Sequence, residues 1–115
     1  MSTFAQIQIG LTPIALGPLA VNISPSNIYA GGTTATITTA NVTAIAVSGT
    51  GPYTYAWTKV SGNAINVASA ATAITTFNAT TMVSPSDRIA VYRCTVTDSL
   101  TASAFSDINV ECERL

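Results

Sequence analysis

The stretch Gly51–Gly62, GPYTYAWTKVSG, limits what this chain can fold into more than any other. A turn signal, Gly51-Pro52, opens it and Ser61-Gly62-Asn63 closes it. Between them Tyr53, Tyr55 and Trp57 share one parity, and Thr54, Ala56 and Thr58 share the other. Aromatic and β-branched residues at period two specify a strand. Trp57 is the single Trp of the chain, and an indole is the largest apolar block that a core can enclose. Other strands have to be placed to cover it, so Tyr53 to Val60 is expected as the central strand of the fold.

The remaining segments have the same character. Ala20 to Tyr29 reads as a strand interrupted by Ser24-Pro25-Ser26, and a Pro within a strand run implies an edge. Gly31-Gly32 is a turn, and Thr33–Thr39 and Asn41–Ser48 are strands. Ile65–Ala68 and Ile74–Phe77 are short strands, and Met82–Asp87 is a loop. Arg88–Asp98 alternates Ala90, Tyr92, Cys94 and Val96 with Val91, Arg93, Thr95 and Thr97. After a turn at Ser99–Thr101, Ala104–Cys112 is the last strand, with Phe105 and Asp107 opposite Ile108 and Val110 in parity. Seven or eight short strands at this spacing, with no helical period, mean an all-β sandwich or barrel.

Charge narrows the reading further. Charged residues make up 8% of the 115 positions, against about a quarter in an ordinary globular chain. None lies between Met1 and Thr58. Such a surface is either simply rich in hydroxyls or covered in an assembly, where unpaired charge is costly. Residues 1–20 form an arm, distinct from a domain over 21–115. Phe4, Ile7, Ile9, Leu11, Ile14, Leu16 and Leu19 make the arm too apolar for a free tail, while Gly10, Pro13, Gly17 and Pro18 break any helix. It either packs on its own domain or docks on a neighbouring subunit by strand addition. With a net charge of −1 and no basic cluster, neither nucleic acid nor anionic lipid is an expected partner. The chain has no run of 20 apolar residues and no secretory leader pattern, so folding in a cytoplasm is expected.

Chemistry-bearing patterns are few. The chain has no His, which excludes His-based triads and His metal sites, and no phosphate loop, so no cofactor is expected. In a hairpin about Ser99–Ser103, Cys94 would face Asp107 or Ile108. Cys112 would then lie about 13 Å away, beyond the roughly 7 Å Cα separation a disulfide spans. Two free thiols follow, with Cys94 as a small core hydrophobe. Asp98 and Asp107 flank that hairpin and read as turn caps and solvated carboxylates rather than a paired acid–base site. Arg93, with Lys59 on the neighbouring strand, reads as the solvated flank of a sheet. Sequons at Asn22, Asn41 and Asn78 follow from a Thr- and Asn-rich composition.

Trp57, followed by Tyr92-Arg93-Cys94-Thr95-Val96-Thr97-Asp98, resembles the immunoglobulin fold, with Trp57 at the buried strand-C position. Tyr92, two residues before Cys94, stands where a tyrosine corner sits. The first sandwich Cys is missing: that region holds Ile45 and Val47. The resemblance therefore implies a core of Trp57, Tyr92, Cys94, Val96 and Ile45 without an inter-sheet disulfide. Residues 41–112, with GTGPYTYAWTKVSG, INVASA, ITTFNAT and YRCTVTDS, more closely resemble the Ig-like or PKD-like modules of tailed-bacteriophage virion proteins. That likeness implies a non-enzymatic virion component, a capsid decoration or tail/neck accessory, made in the host cytoplasm. Its partners would be a major virion protein and copies of itself, engaged through the arm. The alternative is an adhesion module recognising a cell-surface glycan or protein through loop aromatics, for which Tyr29 and Phe77, both half-buried in this reading, are the candidates.

Overall fold

The computed structural model describes residues 17–115. Arm residues Phe4, Ile7, Ile9, Leu11, Ile14 and Leu16 lie outside them. Ten strands follow in order: β1 (Ala20–Ser24), β2 (Asn27–Gly32), β3 (Ile37–Thr38), β4 (Val42–Val47), β5 (Thr54–Gly62), β6 (Asn66–Val67), β7 (Ile74–Thr75), β8 (Phe77–Ala79), β9 (Ser86–Thr97) and β10 (Ser103–Arg114). They form three sheets, β1-β4-β7, β2-β10-β9-β5 and β3-β8-β6.

The strand order is that of an immunoglobulin-like sandwich. The Pro25 interruption splits the first strand between the two large sheets. β1 runs antiparallel to β4 in one, and β2 runs parallel to β10 in the other. Both are edge strands, where a missing N–H does no harm to a ladder. With β1/β2 as the split strand A, the sheets read A-B-E and A′-G-F-C, the arrangement of that fold. The small sheet is a continuation of the B–E pair. Ile37 faces Ala79 and Val42 faces Thr75, so the register slips by one residue between the two segments. Thr39 sits at the slip and repairs it: its hydroxyl accepts the Phe77 N–H at 3.0 Å, and its own N–H reaches the Phe77 carbonyl at 2.8 Å.

Trp57, Tyr92, Cys94 and Val96 are all buried in one core cluster. Phe77, expected half-buried, is entirely enclosed. Its ring packs edge-on against Trp57, with centroids 5.8 Å apart, and tilted against Tyr92 at 4.8 Å. The polar ends of the flanking rings are satisfied within the core. Trp57 Nε1 donates to the Thr72 carbonyl at 2.8 Å, and the Tyr92 hydroxyl donates to the Ile65 carbonyl at 2.6 Å. The Tyr92 bond therefore crosses to a distant connection rather than closing a local tyrosine corner.

Three expectations are corrected. Ile45 is not core: it is 48% exposed. β4 reads V-T-A-I-A-V, apolar on both parities, and a one-residue choice of face inverts such a strand. Val42 and Ala44 point inward, into an interior already filled by three aromatic rings, and the bulkier Ile45 and Val47 point out. Second, β5 is not central but the edge of its sheet; β9 and β10 occupy the middle. Third, the last hairpin pairs Cys94 with Ser106 and Cys112 with Arg88. The two cysteines are thus six ladder steps apart, about 20 Å at roughly 3.3 Å per residue, and both are free.

Replacing Trp57 or Phe77 by Ala is expected to cost about 3–5 kcal/mol, as for other buried aromatics. Ile45→Thr is expected to stay within about 0.5 kcal/mol, as surface changes usually do. Urea unfolding of the three variants checks both statements.

Candidate functional site

Charge is sorted by sheet. All four basic and five acidic side chains lie on β5, β9 or β10, or at Asp98 directly after β9. The β1-β4-β7 sheet carries none. Its outward side presents Asn22, Ser24 and Thr43 together with Ile45, Val47 and Ile74, the last three between 40 and 53% exposed. The domain therefore has one uncharged outer face and one ionised outer face.

On the ionised face, outward residues of β9 and β10 pair across the ladder. Arg93 and Asp107 are direct neighbours and form a two-pronged ion pair, Nε–Oδ1 at 2.8 Å and Nη2–Oδ2 at 3.2 Å. The Arg93 guanidinium also lies 3.9 Å over the Phe105 ring, which covers it without burying it. The hydrogen bond from Arg93 holds the Asp107 carboxyl below its ordinary value. Lys59 does not join this group. It pairs with Tyr92 in the ladder, one step off the Arg93 row, and its Nζ turns back to the Asn63 carbonyl.

Further along the same face, Asn27, Tyr29 and Gly31 of β2 stand opposite Asn109, Glu111 and Glu113 of β10. β9 adds Val91, Ile89 and Asp87 to the same three rows. The middle row leans toward the last. The Tyr29 hydroxyl donates to Glu113 Oε1 at 2.7 Å, and the Glu111 carboxyl lies close enough to Asp87 for that carboxylate to raise its pKa. Gly31 makes the first of these possible, because a Cβ there would collide with the Tyr29 hydroxyl. The lean opens a groove of about 230 Å³ behind the middle row, lined by Asn27, Tyr29, Ile89, Asn109 and Glu111. Asn109 Nδ2 donates to Asn27 Oδ1 at 3.0 Å and fixes the two amides at its end. Tyr29 is 55% exposed, so its ring is an outward plate rather than a half-buried loop residue.

At one end of the sandwich Asp98 ties two loops. Its carboxylate accepts N–H groups from Thr50 at 3.1 Å, Leu100 at 3.0 Å and Ala102 at 2.9 Å. The β4–β5 loop turns at Gly49, whose φ of +70° suits a residue without a Cβ; a Cβ would also meet the Asp98 carboxylate. The Thr50 N–H first, then those of Ala102 and Leu100, pull the Asp98 carboxyl below its ordinary value, against some desolvation. Asp98 and Asp107 are thus engaged separately, one in a loop tie and one in an ion pair. Among the described residues no group of three or more acidic or cysteine side chains converges on a metal position.

The thiols are inert for a physical reason. Burial pushes Cys94 up to about 11 and raises Cys112, so neither forms much thiolate at neutral pH.

The groove was not legible beforehand because it depends on parallel pairing of β2 with β10, residues 82 apart in sequence at Asn27 and Asn109. The usable trace was Asn-x-Tyr-x-Gly on one strand parity.

No family model matches the chain, and neither does any curated protein. The solved structures similar to this chain include the following two. One is the solution structure of the PKD domain (329–428) of human KIAA0319, at 16% identity and a TM-score of 0.46, covering 91% of this chain and 93% of that one. The other is a conjugative transposon lipoprotein from Bacteroides eggerthii, at 10% identity and a TM-score of 0.44, covering 81% and 96%. The strand order described above carries the fold assignment independently of both.

Two outcomes follow. Asp98 and Asp107 titrate in the fold below their ordinary 3.8, so the stability they confer is full above that value and lost as pH falls through the lower folded values. Glu111 titrates above its ordinary 4.5, because of the Asp87 hydrogen bond first, then desolvation and the Asp87 and Glu113 charges. Its contribution is full below 4.5 and lost as pH rises through the folded value. Urea midpoints are expected to rise on acidification from neutral pH toward 4.5 and to drop below 3.8, with Asp98→Asn flattening the acid drop. A thiol-reactive chromogenic disulfide at pH 8 is expected to leave the native chain unlabelled and to count two thiols per chain after unfolding in urea.

Proposed function

We propose that this chain is a non-enzymatic structural protein of a phage virion, a capsid decoration or tail/neck accessory. It assembles on a major virion protein through its uncharged N-terminal arm and presents the Ig-like domain outward. The observation that carries this reading is the sorting of charge by sheet. An uncharged, partly apolar outer face with Ile45, Val47 and Ile74 exposed suits apolar burial against a partner. The arm joins the domain at that same sheet, since β1 begins at Ala20 and is its edge strand. An apolar arm attached at the edge of an apolar face suits burial of both against one partner, and the ionised sheet on the other side keeps the outward surface solvated.

Ig-like sandwiches are typically binding or structural domains rather than catalysts. The ionisable side chains of this one fit that pattern: Asp98 ties loops, Arg93 pairs with Asp107, and the thiols are buried. Recognition through loop aromatics finds less support. Phe77 is enclosed, and the exposed aromatics Tyr29 and Phe105 stand on a sheet face.

Deleting residues 1–16 leaves β1 whole and separates attachment from folding. The truncated chain is expected to keep its urea midpoint yet to be lost from purified particles assembled in its presence. Incorporation at the level of the full chain would sink the assembly reading.

A further inference from the structure

We propose that the groove behind Tyr29 on the ionised face binds one ring of a neutral sugar. This inference is independent of the assembly reading, since it uses the opposite sheet and the domain alone. It starts from how Tyr29 is held. An exposed tyrosine ordinarily samples several rotamers and has to be ordered by its ligand. Here the hydroxyl is bonded to Glu113 at 2.7 Å and the ring lies in the space that Gly31 leaves empty. The ring is thus fixed before anything binds, which removes part of the ordering cost of association.

A fixed aromatic plate on a sheet face suits a ligand with one flat apolar side. The other groove residues say what the rest of that ligand carries. Asn27 and Asn109 are locked to each other by one hydrogen bond, and each amide has further donor and acceptor capacity. Glu111 adds carboxylate acceptors on the Tyr29 row, and Ile89 supplies an apolar wall opposite. Groups that both donate and accept, set beside an aromatic plate, match hydroxyls on a ring whose C–H face is apolar. A pyranose has that construction.

Charge selects the neutral members. The ionised groups around the groove are Asp87, Glu111 and Glu113, all acidic. The basic groups of β9 are committed elsewhere. Arg88 donates to the Ala64 and Thr80 carbonyls, and Arg93 is held by Asp107. An anionic sugar would meet like charge without compensation. Size limits the ligand to about one ring, because about 230 Å³ falls below the range of pockets that enclose larger molecules.

The test is a ¹⁵N–¹H correlation titration of the full chain with glucose, galactose and N-acetylglucosamine, and in parallel with glucuronate and N-acetylneuraminate. The expected result is a saturable shift of the Asn27, Tyr29, Ile89, Asn109 and Glu111 amides with at least one neutral sugar, with Kd on the order of 1 mM for so small a ligand. The two anionic sugars are expected to leave those amides unmoved. Tyr29→Ala should weaken binding about tenfold or more, the loss of one good contact. Gly31→Ala, which drives the ring off its seat while keeping it in the chain, should weaken binding as well. Ile45→Thr on the opposite sheet should leave it unchanged. The proposal is overturned if no neutral sugar shifts these amides at 50-fold the stated Kd, about 50 mM. It is equally overturned if shifts map to the loops at the sandwich ends, if the anionic sugars bind as well as the neutral ones, or if Tyr29→Ala binds like the parent while retaining its native spectrum.

Discussion

The three-ring contact of Trp57, Phe77 and Tyr92 is the interaction on which the rest of this sandwich depends. Trp57 and Tyr92 belong to the four-stranded sheet and Phe77 to the small sheet that extends the B–E pair. One cluster therefore joins both halves. It also organises the long connection between β5 and β9, whose carbonyls at Ile65 and Thr72 receive the polar ends of two of the rings. In antibody domains a disulfide spans the sheets beside the buried Trp. Here Cys94 is paired across from Trp57 as a small apolar neighbour, and an aromatic ring supplies the cross-sheet contact. The difference is physical as well as chemical. A disulfide acts in large part on the unfolded chain, whereas ring packing acts only once the sheets have met.

Much of this was legible in the sequence, for reasons that can be named. Strands such as β9 and β10 place polar and apolar residues on opposite parities, so Tyr92, Cys94 and Val96 read inward and Phe105 and Asp107 outward. Pro25 marked the strand interruption because its missing N–H is tolerated at an edge. β4 defeated the same logic, since Ile45 and Ala44 are both apolar and only the filled interior decides between them. β5 was misplaced because aromatic content measures burial on one face, and an edge strand buries one face as well as a central strand does. The groove was beyond sequence reasoning altogether. It is made by the neighbours that β10 brings to β2 and by the absence of one side chain at Gly31.

Site and fold are coupled through the same sheet. The inward parities of β9 and β10 build the core, and their outward parities hold Asp87, Arg93, Asp107, Glu111 and Glu113; Arg88 and Arg114 share the inward parity toward the strand ends and donate to the Ala64, Thr80 and Met82 carbonyls. The ion pair of Arg93 and Asp107, the Tyr29–Glu113 bond and the juxtaposed Glu111 and Asp87 carboxyls all join cross-strand neighbours. Exposed pairs of this kind, attractive or repulsive, change stability little, since water and salt screen them. What they do is fix the direction in which outward side chains lean, and the groove exists because two of them lean the same way.

The sorting of charge onto one sheet has a consequence for how this molecule responds to its solvent. Charge-based contacts made by the ionised side weaken as simple salt shortens the Debye length to about 10 Å at 0.1 M. Contacts made by the uncharged side are indifferent to that screening and are strengthened by strongly hydrated, excluded anions such as sulfate. The two faces of one small domain thus obey opposite salt laws. Ionic composition can release whatever the ionised sheet holds by charge while leaving in place whatever the uncharged sheet holds.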